Sequence, residues 1–161
     1  MNEQELQVHL IQLVQEYGAK RNRIEAAIRE RHQAEAAAVP SFAADEDRLA
    51  WQKEHAPIDW FAEFRRQLEP VFDFYCTSKK RVYGGKNISS FGFPVKFNGI
   101  EHPVETGVEL KNKNRAEVYI QTASDFQDEY LFIVLRKAGQ WKIDSYKYRR
   151  YGGEKWDNGI L

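Results

Sequence analysis

The sequence has almost no cysteine, no net charge and no long apolar run, and each absence closes off a class of protein. Cys76 stands alone among 161 residues, which excludes an internal disulfide and fits a reducing compartment, so the cytoplasm is the expected home. Lys plus Arg and Asp plus Glu both number 24. No long-range field therefore draws the chain to nucleic acid or to an anionic membrane. No apolar stretch approaches the ~20 residues of a membrane-spanning helix. The opening MNEQELQVHLIQLVQEY carries acids early and polar residues throughout, unlike a secretory leader. The four histidines, His9, His32, His55 and His102, lack the paired spacing of a zinc site, and one cysteine cannot complete such a site, so neither metal nor cofactor is expected. The two YGG stretches, Tyr83 to Gly85 and Tyr151 to Gly153, lack the lysine and hydroxyl of a phosphate-binding loop and read as turns. There is no internal repeat.

What is present is a soluble globular composition, 42% hydrophobic and 30% charged, long enough to bury a core as one domain spanning residues 1–161. It divides into a helical half, 1–78, an antiparallel sheet, 79–148, and a C-terminal tail, 149–161. Asn2 and Glu5 have capping-box spacing, and Leu6, Leu10, Leu13, Tyr17, Ile24 and Ile28 follow on one helical face. Gly18 is expected to weaken or bend that helix. The bases Lys20, Arg21, Arg23, Arg29 and Arg31 read as its solvated face. AEAAAVPSFAADED is a break around Pro40. Ser41 or Asp45 is expected to cap a short second helix whose acids lie at its positive end, and Pro57 stops it. Asp59 caps a third helix with Trp60, Phe64, Leu68, Val71 and Tyr75 on one stripe, and Pro70 is expected to kink or restart it.

After Cys76 the period falls from 3.6 to 2. Phe91, Phe93, Val95 and Phe97 alternate as a strand, Val108 and Leu110 begin another, KNKN turns, and Ala116, Val118 and Ile120 form a third. A hairpin over 130–150 closes the series with Ala138 and Gly139 at its turn. Three helices followed by a meander of at least four strands make an α+β fold, with the N-terminal helices packed against a curved antiparallel sheet in a half-open cone. Strand 130–136 is apolar on both sides, which suits cover on both faces or a subunit contact, such as a homodimer, on the outer one.

The runs FDFYCTSKKRVYGGKNISSFGFPVKF, NRAEVYIQT and YLFIVLRKAGQWKIDSYKY, in that order, resemble the bacterial immunity proteins of nuclear-transport-factor-2-like fold that accompany Rhs-type polymorphic toxins. YCTSKKRVYG, the SFGFP strand and the closing W-K-I-D carry the likeness, which covers residues 60–148. It implies a non-catalytic cytoplasmic antidote that binds and neutralises a cognate toxin domain. No catalytic residue carries over from it.

The alternative is a small isomerase- or dehydratase-type enzyme using the cone pocket, because a fold does not fix a function. Its candidate acid, base and donor groups are Asp73, Asp144, Tyr83, Tyr119 and Tyr146. Strict alternation along WKIDSYKY puts Trp141 and Ile143 in the core and Lys142, Asp144, Tyr146 and Tyr148 outside, which argues for a surface role of Asp144. Cys76, at the end of an apolar stripe, reads as a small buried hydrophobe rather than a nucleophile. SKKR at 78–81 with Tyr83 and Lys86, and YKYRRY at 146–151, interleave bases and aromatics. In a neutral chain these suit a protein interface better than nucleic acid. The expected partner-binding residues are Tyr146, Tyr148, Arg149, Tyr151 and Trp156. The tail from Gly152 is expected either to fold back on a sheet edge or to anchor the partner.

Overall fold

A computed structural model of the chain describes residues 1–88 and 90–161. Among the described residues, three helices, α1 (Glu3–Ala37), α2 (Asp45–Glu54) and α3 (Trp60–Tyr75), precede five strands, β1 (Pro103–Asn112), β2 (Arg115–Thr122), β3 (Asp128–Lys137), β4 (Gln140–Arg150) and β5 (Asp157–Asn158). The strands pair antiparallel in chain order, and the sheet stays open. The α+β architecture is the one expected.

The capping box at Asn2 and Glu5 is present, both reciprocal hydrogen bonds measuring 2.8 Å. α1 runs unbroken through Gly18. That glycine is a point of close approach rather than a bend, since a Cβ there would stand 2.6 Å from Ile100 Cδ1. The helix also continues through the alanine-rich stretch to Ala37 and ends just before Pro40. Leu10, Val14 and Tyr17 of α1 and Phe72 and Tyr75 of α3 bury themselves against Val118, Ile120, Phe132, Val134 and Ile143 of the sheet. A smaller cluster of Ile28, Trp60, Phe64, Leu68 and Ile88 joins the far halves of α1 and α3. The Asp59 carboxylate caps α3 from 3.0 Å at the Ala62 N–H, and the helix continues through Pro70. The N-cap of α2 is Ala44, neither Ser41 nor Asp45, and it gives no side-chain bond.

Two further expectations are corrected. Arg21 is not solvated: it is 2% exposed, 2.9 Å from Glu25, itself 4% exposed, and lies over the rings of Phe64 and Phe97. Residues 91–97 are not a strand but a loop of bends and turns. α1 supplies the hydrogen bonds a ladder would have given. Asn22 brackets Phe97, accepting from its N–H at 3.0 Å and donating to its carbonyl at 2.8 Å. Glu25 accepts from the N–H groups of Gly92 and Lys96 at 3.2 and 2.8 Å. The alternation arose from separate burials. Phe97 plugs the main core, Phe91 packs on Phe61 and Phe64, and Phe93 lies outside beneath Arg29. The sheet therefore begins at Pro103.

Candidate partner-binding surface

The site turns on one irregularity in β4. Ile133 pairs with Ser145 but Val134 pairs with Ile143, so Asp144 is the extra residue of a β-bulge. A bulge inverts the inward–outward alternation beyond it. Trp141 and Ile143 face the core as expected, but Tyr146 follows them inward. It is 6% exposed and packs on Phe97, Phe132 and Tyr130. The placement of Tyr146 beside Asp144 on the outside is therefore corrected. Tyr148 shares the inner side at the sheet's open end, and Lys147 and Arg149 take the outer face.

The five expected partner residues are thus divided by the sheet. Tyr146 is core. Tyr148 and Tyr151 are exposed, at the open end and in the turn after β4. Arg149 and Trp156 are brought together, the guanidinium lying 4.2 Å from the indole centroid, a cation–π contact. Glu129, almost fully buried beneath them, accepts from Arg149 Nε at 2.9 Å and from the Tyr119 hydroxyl. The Tyr119 ring meets Trp156 edge-on, with centroids 6.4 Å apart. Burial and the hydrogen bond to Glu129 raise the Tyr119 phenol well above its ordinary pKa, so it stays a donor. The result is a pre-organised Tyr–Glu–Arg–Trp group on the outer face of β2, β3 and the β4–β5 connection.

The other basic cluster is held by the chain itself. Asp144 accepts from Thr77 Oγ1 at 2.9 Å and from Lys79 Nζ at 2.8 Å. Arg81 donates to the Asp144 carbonyl at 2.9 Å and to Thr77 Oγ1 at 3.1 Å, and Lys86 pairs with Glu69 and Asp73. Burial works against the Asp144 charge, but the bonds from Lys79 and Thr77 and the nearby Arg81 outweigh it and hold the carboxyl below its usual range. Asp144 fastens the segment after α3 to the sheet. Burial pushes the Cys76 thiol up to about 12, far from the thiolate that chemistry requires.

The cone interior is filled by Tyr17, Phe97, Tyr130, Phe132 and Tyr146. At its mouth an open hollow of about 430 Å³ is lined by Lys96, Asp128, Tyr130, Tyr146, Tyr148 and Ile160. Burial, and then the Arg21 charge, lower Lys96 to about 8. Its ammonium nevertheless donates to the Ile160 carbonyl, and Tyr130 donates to the Lys96 carbonyl at 3.3 Å. These donors are committed to backbone, and neither pairs with Asp128 as an acid–base couple would.

Residues 40–159, most of the chain, match the NTF2 fold immunity protein family. Immunity protein RhsIA of Dickeya dadantii (strain 3937) is 23% identical over 92 residues, 57% of this chain and 66% of that protein, so the match spans just under two thirds of the relative. No solved structure matches. The chain belongs to the NTF2 fold immunity protein family.

Proposed function

We propose that the protein neutralises a toxin domain of the Rhs-type polymorphic class by binding it in the cytoplasm, with no catalysis of its own. Family membership and the similarity to RhsIA support a toxin as the partner. The observation that carries the non-catalytic part is the packing of the cone. Five aromatic side chains occupy the space where an enzyme of this shape needs a reaction chamber, and the mouth offers no converging acid and base. What remains for function is surface. Among the described residues, no helix is long and apolar enough to cross a membrane.

Tyr148 lies on the inner side at the cone mouth, whereas Arg149 and Trp156 on the outer face, with exposed Tyr151 in the turn that follows β4, form the contact region. Its residue types are those that carry most of the affinity in protein interfaces. Glu129 holds the Arg149 side chain in place, so little rotamer entropy is lost on binding. The test is co-expression with the toxin encoded in the adjacent reading frame, followed by gel filtration. Growth protection and a stable complex are expected; the absence of both would refute the proposal. Arg149→Ala would leave Glu129 buried with one partner fewer, so Trp156→Ala and Tyr151→Ala are the cleaner probes. Together they should weaken toxin binding by about 2 kcal/mol or more, measured by calorimetry, while the unfolding midpoint stays near that of the wild type.

A further inference from the structure

A wide cleft lies at the other end of the sheet. It opens between the N-terminal half of α1, the end of α3 and the β3–β4 hairpin, and has a volume of about 780 Å³. Its floor is apolar: Leu6, Leu13, Phe74 and Trp141. Phe74 is 69% exposed although it packs edge-on against buried Tyr75 at 4.8 Å, so this large ring is offered to whatever enters. Every charged residue lining the cleft is basic, namely Lys113, Arg136 and Lys142. Lys142 donates to the backbone carbonyl of Asp73 at 2.9 Å. Lys113 and Arg136 make no ion pair among the described residues. Elsewhere Lys79, Lys86, Lys111, Arg115 and Arg149 each stand within 4.0 Å of a carboxylate. A chain of zero net charge thus leaves unneutralised positive charge around an apolar floor.

We infer that this cleft is a second docking site, which takes an acidic segment of the partner protein bearing an aromatic or aliphatic anchor. The anchor seats on Phe74 and Trp141, and the carboxylates face Arg136 and Lys113. The inference rests on the toxin-binding proposal for the identity of the partner. Charge complementarity selects the occupant: a basic rim speeds association with an acidic surface and penalises a basic one. Along β3 the cleft residue Arg136 stands seven residues from Glu129, about 23 Å at the rise of a strand. The two places lie at opposite ends and on opposite faces of the sheet, so a toxin domain held by both wraps around the molecule from the Arg149–Trp156 region to the cleft.

The experiment uses the full chain and the purified toxin domain, with affinity measured at low and high salt. Lys113→Glu with Arg136→Glu should weaken binding tenfold or more and flatten its salt dependence. Phe74→Ser should weaken binding tenfold while leaving the salt dependence intact. Lys53→Glu, on the exposed helix α2 and outside both proposed surfaces, should change neither. Should the double reversal unfold the chain, Lys113→Gln with Arg136→Gln replaces it, with a smaller loss in the same direction expected. Wild-type affinity and salt response in the cleft variants, against a wild type that binds, would overturn the cleft and leave toxin neutralisation standing. A wild type that neither binds nor protects would overturn both. Binding of dodecanoate in the cleft, with toxin binding indifferent to the variants, would reassign it to a small anionic amphiphile and likewise overturn the proposal.

Discussion

Arg21 and Glu25 stand one turn apart on α1, and Glu25 serves three donors at once: the Arg21 guanidinium and the N–H groups of Gly92 and Lys96. A carboxylate this deep persists only because each of its neighbours is a donor. Glu25→Ala leaves Arg21 charged and unpaired in the interior, and should cost about 3–5 kcal/mol, read from the urea midpoint. Replacing both Arg21 and Glu25 by Met removes the stranded charge but still orphans two loop amides. The double variant should therefore remain about 1–3 kcal/mol below wild type. Full recovery would show that Glu25 matters only to its ion pair. Spacing along α1 marked Arg21 as one base among five on a shared side. It could not reveal depth, because the groups that cover Arg21, Phe64 and Phe97, come from remote parts of the chain.

Between β3 and β4 the chain turns through Ala138 and Gly139, at φ 50° and 76°, the left-handed pair that a two-residue type I′ hairpin requires. Glycine meets that demand freely, whereas alanine strains its Cβ against the following carbonyl by about 1 kcal/mol. Ala138→Asn should therefore raise stability by about 0.5–1 kcal/mol, as a higher denaturant midpoint at unchanged slope. An unchanged midpoint would mean that alanine is not strained there. The hairpin and its turn were legible because the signal is local: two alternating runs and a glycine. The bulge a few residues later was not. Counted from the turn, where Lys137 pairs with Gln140, the register would set Glu129 opposite Tyr148; the extra Asp144 moves it to Arg149. One residue thus concealed both the Glu129–Arg149 pair and the burial of Tyr146. The loop at 91–97 misled for a related reason. Its aromatic alternation imitates a strand, while the side chains that hold it, Asn22 and Glu25, lie 67 to 75 residues earlier in the chain.

At the scale of the whole molecule the open sheet has two edges to protect. β1 carries Glu105, Glu109 and Lys111 along its exposed side, charges that discourage another strand from pairing there. β4 is covered instead. Cys76 and Thr77 bridge its first half at Ile143, and β5 pairs with Lys147 and Tyr148 of its second. The tail that supplies β5 also closes the cone. Gly159 lies so near the Tyr146 ring that a Cβ would stand 2.2 Å from its Cζ, Leu161 is buried in the main core, and the Leu161 carbonyl accepts from the Gly85 N–H at 2.6 Å. The sequence offered edge cover or partner anchor for this tail. The structure gives edge cover to residues 157–158 and leaves Trp156 beneath Arg149, on the face proposed for the partner. The two roles can be separated by cutting the chain after Trp156. Loss of Leu161 alone removes burial worth about 2 kcal/mol, so the melting temperature should fall. The uncovered stretch at Lys147 and Tyr148 should also pair between molecules, seen in light scattering as a mass that rises with concentration more steeply than for the full chain. Gly159→Ala, which keeps the tail but forces it off Tyr146, should lower the melting temperature with a smaller rise in mass, because β5 can still cover part of the edge. A truncated chain as stable and as little associated as the full one would mean that residues 157–161 seal neither the edge nor the cone, and the filled interior would then have to be stable without its cap.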